Sequence, residues 1–139
     1  MIKEEIKLVK NKIPSIIAVS KTFPIAEIIP LIKFGHIHFG ENKVQEALEK
    51  WTDIKKEFKH IKLHMIGKLQ TNKVKYVVPL FDYIHSLDSI KLAKKISLEQ
   101  EKFEKKMKIF IKINLKNEDQ KGGIKPNELV KFYKICTAE

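Results

Sequence analysis

Arginine is absent from this sequence, and all 28 of its basic residues are lysines. Arginine has the best shape for bidentate contacts with phosphate and guanine, so its absence argues against a dedicated nucleic-acid-binding surface. Cysteine occurs once, at Cys136, which excludes an internal disulfide and a zinc site made of cysteines. No apolar run reaches the roughly 18 to 20 residues that a membrane-spanning helix needs.

The amino-terminal segment MIKEEIKLVKNK is charged and lacks the continuous apolar stretch of a secretory signal. Together with the single cysteine, this predicts a cytoplasmic protein in a reducing compartment. A hydrophobic fraction of 43% and a charged fraction of 32% are typical of a folded globular domain. At 139 residues, one domain over the whole chain is expected.

The formal net charge is +11, from 28 lysines against 17 acidic residues. A charge of that size would be compatible with nucleic-acid binding through neutralised phosphates. The lysines are spread along every segment, however, and the sequence also contains 21 isoleucines. Lysine and isoleucine both have A/T-rich codons, so a biased genome explains the excess without a polyanionic partner. We therefore favour compositional bias and expect neither a nucleic-acid nor a membrane partner.

Short β-branched runs alternate with amphipathic segments along the chain. The first run is continuous and apolar, as buried parallel strands are, and the last places its isoleucines on one face. Strands are therefore predicted at residues 15–20, 36–39, 61–66, 81–85 and 108–113.

Helical patterns occupy the intervals between the predicted strands. Over residues 44–58, apolar side chains recur at three- and four-residue steps and form a single stripe. Thr71 is expected to cap the next helix, and Asp88 or Ser89 the one after it. Pro30 should kink or shorten the helix that follows the first strand.

The order of elements is (βα)5, and connections through helices require a parallel sheet. Two architectures accept that order, namely a doubly wound five-stranded sheet and a TIM barrel, which repeats the unit eight times. A length of 139 residues suits the doubly wound sheet, because a TIM barrel typically needs about 200 residues or more. Periodicity alone leaves both architectures open.

Both architectures gather ligands at the carboxyl ends of the strands. Polar residues follow the predicted strands there: Ser20-Lys21-Thr22, Gly40-Glu41-Asn42, Gly67-Lys68, Ser86 and Asn114. Lys21 directly follows an apolar strand, so its stem is expected to begin inside the rim. A partly desolvated lysine amine favours its neutral form, which can attack an aldehyde and form a Schiff base. From position alone, a solvated lysine among 27 others is the favoured interpretation.

The remaining candidate sites are interpreted as structural features. His36 and His38 are expected on one side of a strand, with His64 and His85 near other strands. A metal centre needs three or four convergent ligands, so structural histidines are favoured. Gly122-Gly123 lacks the surrounding pattern of a phosphate-binding loop and indicates a turn.

Five successive motifs resemble those of the pyridoxal 5′-phosphate (PLP) homeostasis proteins, a family similar to the amino-terminal barrel of alanine racemase. They are AVSKT at 18–22, FGEN with VQE at 39–46, HMIGKLQTNK at 64–73, HSLD at 85–88, and IKIN with KGGI at 111–124. Motifs that recur in register are more specific than any one of them. The resemblance covers roughly residues 15 to 135, nearly the whole chain.

This resemblance implies an α/β fold in which the chain forms a partial TIM (β/α)8 barrel, with about the first five βα units in a parallel sheet. It implies that PLP is held as a Schiff base on Lys21, that Asn42 lies beside the cofactor, and that His64 lines the same mouth. It also implies a role in intracellular PLP (vitamin B6) homeostasis without an assigned reaction. PLP-dependent acceptor enzymes would be the partners, and no catalytic residue or metal is expected.

The chain departs from the family pattern after the fifth unit. The family continues with three more βα units, whose serine- and glycine-rich turns grip the phosphate, and with an arginine that faces the pyridine nitrogen. We therefore expect residues 1–139 to form a single incomplete barrel domain with weak or transient PLP binding and open edges available for association. The alternatives are a racemase- or decarboxylase-like enzyme, a basic nucleic-acid-binding domain, and a truncated fragment without function.

Overall fold

The computed structural model describes residues 15–116, 118 and 120–138, so the charged amino-terminal segment lies outside the described residues. Five strands form one sheet in the consecutive order β1-β2-β3-β4-β5, and every neighbouring pair is parallel. The strands are β1 (Ala18–Val19), β2 (His38–Glu41), β3 (Lys62–Met65), β4 (Tyr83–Leu87) and β5 (Lys108–Ile111). The order runs in one direction, whereas a doubly wound sheet reverses its order at a switch point. The predicted α/β fold with a parallel sheet is confirmed.

Helices follow the strands and pack against one face of the sheet. They are α1 (Ile25–Lys33), α2 (Val44–Glu57), α3 (Val74–Leu80), α4 (Ile90–Lys102) and α5 (Leu129–Thr137), with 3₁₀ turns at Thr71–Lys73 and Pro126–Glu128. The apolar stripe of α2 buries Val44, Ala47 and Trp51, as the spacing predicts. Over the described ranges, none of these helices combines the length and the apolar character that crossing a membrane requires.

The hydrophobic core lies between the helices and alternate residues of the strands. Phe39, Leu63, Met65 and Ile84 are all buried and join the helical stripes in one apolar cluster. Trp51 fills the centre of this layer, with its ring centroid 5.0 Å from that of Phe39. Because strand side chains alternate between faces, the intervening residues lie on the other side of the sheet.

That other face carries histidine and aromatic side chains and is more open. Val19 is 49% exposed and Phe110 is 51% exposed there. The rings in contact across this face are His38, His64, Tyr83, His85 and Phe110. In the part of the chain that the structure describes, the helices therefore cover one side of the sheet and leave the aromatic side accessible.

Four strands begin later than the sequence predicts, and for two of them, β2 at His38 and β4 at Tyr83, the hydrogen bonds show why. The reason is that the preceding residues still bond to the helices before them. The His36 amide donates to the Leu31 carbonyl at 3.1 Å, and the Phe81 amide donates to the Val77 carbonyl at 2.8 Å. An amide engaged in this way is not available to the sheet.

The helix caps agree only in part with those predicted from the sequence. Ser89 caps α4 as predicted, and its hydroxyl oxygen accepts the Leu92 amide at 3.2 Å. The cap prediction for Thr71 is wrong, because this residue begins a 3₁₀ turn that leads directly into α3. Pro30 lies inside α1 and removes one helical N–H, and the helix is short, at 9 residues.

Candidate functional site

Lys21 and Asn42 follow the carboxyl ends of the neighbouring strands β1 and β2. Val19 pairs with Gly40, and each candidate follows its paired residue by two positions. The Ser20 amide continues this pairing by donating to the Gly40 carbonyl at 3.0 Å. Because neighbouring parallel strands end at the same edge, the topology brings both residues to one rim.

Lys21 is exposed, so the expected partial burial of its stem is wrong. It lies in a tight turn in which the Phe23 amide donates to the Ser20 carbonyl at 3.2 Å. A turn that projects from the end of a 2-residue strand has little sheet around it to cover a lysine stem. The amine is therefore accessible to a ligand that arrives from solvent.

The turn after β3 packs directly on the backbone of Asn42. A Cβ atom at Gly67 would lie 2.1 Å from the Asn42 carbonyl oxygen and 2.8 Å from its carbonyl carbon. Only glycine permits such a close approach of two backbone segments. Gly67 therefore sets the position of Asn42 relative to the next loop, a contact that the sequence alone did not reveal.

A cavity of about 310 Å³ opens beside Asn42. Its wall contains three lysines and three side-chain amides, and the lining residues are Asn42, Lys43, Val44, Gln45, Met65, Lys68, Gln70 and Lys73. Ammonium groups and amides suit an anionic ligand with several hydrogen-bonding atoms. This donor set fits a phosphate ester such as PLP, and most of it comes from two of the motifs identified above.

His64 lies deeper in the sheet than Lys21 and Asn42. It pairs with Gly40, two residues before Asn42, which places it about 6 to 7 Å further along the strands from the rim. Its side chain is buried, and its ring stacks on Tyr83 with centroids 4.1 Å apart. His64 thus lies beneath the rim that carries Lys21 and Asn42.

His64 is the middle member of a hydrogen-bonded histidine row (His38, His64 and His85) that crosses three strands. Its Nε2 lies 2.9 Å from His38 Nδ1, and its Nδ1 lies 2.8 Å from His85 Nε2. Burial, together with the neighbouring His85 and His38, lowers the pKa of His64 to about 4, and Asp82 opposes the shift. Burial also lowers the pKa of His85. His64 and His85 are therefore uncharged at neutral pH, and a neutral imidazole offers one ring nitrogen that accepts an N–H group.

The stability of the fold should fall as the pH is lowered from about 6.5 to 4. In this window His64 is protonated in the unfolded chain but stays neutral in the folded protein, because its folded pKa is about 4. The unfolded state therefore binds more protons and is favoured as the pH falls. His64 should lower the free energy of unfolding by about 3 kcal/mol, and this loss is complete below its folded pKa.

Urea unfolding at several pH values measures this free energy, and His64→Gln should flatten its dependence on pH between 6.5 and 4. His60→Gln, at an exposed position outside the row, is the matched control. A profile that His64→Gln leaves unchanged would refute the effect.

Glu41 belongs to the same motif as Asn42 but points into the helical layer. It is fully buried, and its Oε1 accepts the Ser20 hydroxyl at 2.7 Å, the Lys50 ammonium at 2.9 Å and the Trp51 indole N–H at 2.8 Å. Adjacent strand residues face opposite sides, which explains why Glu41 and Asn42 separate. Glu41 therefore ties the turn after β1 to β2 and α2 and does not face a ligand.

Ser86 and Asn114, the last two polar residues expected at strand ends, are used elsewhere. Ser86 is buried within β4. The Asn114 side-chain amide donates to the carbonyls of Glu118 and Lys121, both at 2.9 Å. Asn114 thus closes the loop after β5.

Of the four histidines considered for metal binding, three bond to one another in the histidine row and His36 lies apart from them. His36 is buried, its Nε2 lies 2.8 Å from the His38 carbonyl, and its ring meets Phe39 edge-on. The His38 ring instead joins the histidine row, so the expectation that both point to one side is wrong. Among residues 15–116, 118 and 120–138, no three His, Cys, Asp or Glu side chains are arranged to hold a metal ion.

The fold and its rim define the class of protein. The chain belongs to the family of alanine racemase N-terminal domains, whose family model matches residues 1–139. It is 38% identical over 119 residues to the pyridoxal phosphate homeostasis protein of Pasteurella multocida (strain Pm70), covering 86% of this chain and 51% of that protein. The protein of the same name from Escherichia coli (strain K12) is 34% identical over 116 residues, covering 83% and 50%. The chain thus spans about half the length of these curated relatives.

Solved structures show the same relationship. PipY of Synechococcus elongatus PCC7942 without PLP superposes with a TM-score of 0.88 at 32% identity, over 98% of this chain and 64% of that one. The PipY structure with PLP bound gives a TM-score of 0.85 at 30% identity, over 100% of this chain and 66% of that one. The family resemblance that the motifs indicate is therefore confirmed.

Proposed function

We propose that this chain is a partial TIM barrel that holds PLP at the carboxyl ends of β1 and β2 and serves PLP homeostasis in the cytoplasm. The observation that carries the proposal is that Lys21 and Asn42 follow the carboxyl ends of paired neighbouring strands, and that Asn42 borders a cavity lined by lysines and amides. The relatives named for PLP homeostasis and the PLP-bound structure of PipY support the choice of cofactor. The consecutive strand order supports a partial barrel, because a barrel adds its strands one after another.

Three residues would hold the cofactor. When bound, PLP would supply an aldehyde carbon that can form a C=N bond to a lysine amine, with the aldehyde oxygen released as water. Lys21, exposed at the end of β1, provides that amine. Asn42 offers an amide that both donates and accepts hydrogen bonds beside the ring. His64, buried in its row, would lie beneath the cofactor as the floor of the site.

Lys68 and Lys73 provide the positive charge for the phosphate in a chain without arginine. A lysine ammonium attracts phosphate as a point charge and lacks the rigid two-point grip of a guanidinium. Phosphate held in this way exchanges more readily. We therefore propose a carrier that releases PLP to acceptor enzymes and not an enzyme that retains it.

Incubation with PLP, reduction with borohydride and peptide mass mapping test this function. We expect one dominant pyridoxyl adduct on Lys21, because the rim groups hold the aldehyde near that amine and raise its effective concentration. Lys21→Ala should remove the dominant adduct and leave only background labelling. The matched control Lys56→Ala, at an exposed position on α2, should leave the Lys21 adduct unchanged. Equal labelling of many lysines, or none at Lys21, would show that the proposal is wrong.

A further inference from the structure

The residue before Lys21 is tied to side chains of β2 and α2. The Ser20 hydroxyl donates to Glu41 Oε1 at 2.7 Å, and the Ser20 carbonyl accepts from Lys50 Nζ at 2.8 Å. Lys50 Nζ also donates to Glu41 Oε1 at 2.9 Å, and both side chains are buried. Ser20 is therefore held through its side chain and its backbone at once.

The residue after Lys21 is tied to α2 as well. The Thr22 amide donates to Glu46 Oε1 at 2.6 Å, and the same oxygen accepts from Lys50 Nζ at 3.0 Å. The hydrogen bonds from Lys50 and Thr22 lower the pKa of Glu46, which keeps this acceptor charged at neutral pH. Thr22 adopts a φ of 67°, a conformation that is rare for a β-branched residue and persists only where its surroundings hold it.

We propose that Glu46 and Lys50 are positioning residues for Lys21, which hold the backbone on both sides of it so that its amine meets the PLP aldehyde in one orientation. The inference rests on the proposed function, in which Lys21 forms a bond to PLP. That bond joins Lys21 Nζ to the aldehyde carbon and releases the oxygen as water, so the step needs no oxidant or reductant. A lysine on a freely moving turn would lose conformational entropy at each productive encounter, whereas a held turn has already lost it.

The hydrogen bonds from Glu46 and Lys50 to the backbone beside Lys21 explain how this exposed lysine can differ from the other 27 lysines of the chain. Burial does not single out Lys21, because its side chain is accessible. A fixed backbone does single it out, since the carbonyl before it and the amide after it both bond to α2.

Variants of Glu46 test this role without disturbing a fully buried charge, because its side chain is 28% exposed. The measured quantity is the pyridoxyl label on Lys21 relative to the label on all other lysines after incubation with PLP and borohydride reduction. Glu46→Ala should lower this ratio about tenfold, since even a misplacement of about 1 Å can cost up to 100-fold in rate. Glu46→Gln should restore it, because the amide oxygen still accepts the Thr22 amide. Glu57→Ala, at an exposed position on the last turn of α2, is the matched control and should have no effect.

Hydrogen exchange of the Thr22 amide provides a readout that does not involve PLP. Glu46→Ala should accelerate this exchange by removing its acceptor, while Glu46→Gln and Glu57→Ala should not. Faster exchange together with an unchanged Lys21 ratio would overturn the positioning role and leave the proposed function intact. An equal loss of the ratio in Glu46→Gln and Glu46→Ala would also overturn it. If the wild-type chain shows no preference for Lys21, the proposed function itself is wrong.

Discussion

Replacing Lys50 with methionine should lower the free energy of unfolding by about 3 to 5 kcal/mol. The ammonium lies 2.8 Å from the Ser20 carbonyl and 2.9 and 3.0 Å from the carboxylates of Glu41 and Glu46. Only 7% of the Lys50 side chain and none of the Glu41 side chain are exposed. The substitution leaves the Glu41 carboxylate buried without its cation, and removing one partner of a buried pair costs more than replacing both.

Urea unfolding measures this loss against a matched variant on the same helix. Lys56→Met removes an ion pair with Asp53 whose side chains are 72% and 91% exposed, so it should change stability by no more than about 1 kcal/mol. The double variant Glu41→Gln/Lys50→Met should recover part of the loss, because a glutamine oxygen still accepts from Trp51 without a buried charge. Equal midpoints for Lys50→Met and Lys56→Met would mean that the buried pair does not stabilise the fold.

Substituting Gly67 with alanine should cost about 3 kcal/mol, at the upper end of the usual penalty for overpacking. The new Cβ atom would lie 2.1 Å from the Asn42 carbonyl oxygen and 2.8 Å from its Cα. Both obstacles are backbone atoms, so the turn itself must move. Asn42 would move with it, and labelling of Lys21 by PLP should fall as well.

Gly35→Ala is the control that separates the cost of a steric clash from the cost of a left-handed backbone conformation. Gly35 has a φ of +96°, but a Cβ atom there would meet nothing within 4 Å. Its substitution should cost only about 1 kcal/mol, through the left-handed backbone, and should leave PLP labelling unchanged. Thermal unfolding of both variants compares the two costs. A Gly67→Ala variant no less stable than Gly35→Ala would contradict the close contact with Asn42.

The candidate site shows where prediction from the sequence succeeds and where it stops. The position of Lys21 directly after an apolar strand predicts a strand end, and β1 does end just before it, at Val19, which pairs with Gly40. The burial of Lys21 could not be predicted, because it depends on how far β1 extends and on what surrounds the turn. The partners of Glu41 could not be predicted either, because they lie just after β1 and on α2, 9 to 21 positions away along the chain.

The histidine row also depends on contacts between distant residues that the sequence does not reveal. His38, His64 and His85 are separated by 26 and 21 positions, and the sequence shows only that each lies near a strand. Their mutual hydrogen bonds arise because parallel pairing aligns three strands on the face away from the helices. The lowered pKa of His64 follows from that alignment and from burial, and neither is visible in a list of residues.

The sequence by itself determined the alternation of strands and helices, the parallel sheet, the apolar stripe of α2 and the family motifs. These features depend on local periodicity and on spacing along the chain, which the order of residues contains. Only the tertiary structure decided the consecutive strand order, the exposure of Lys21, the inward turn of Glu41 and the contact between Gly67 and Asn42. The physical reason is that burial, backbone approach and charge pairing depend on groups that are distant in the chain and become neighbours only when the sheet forms.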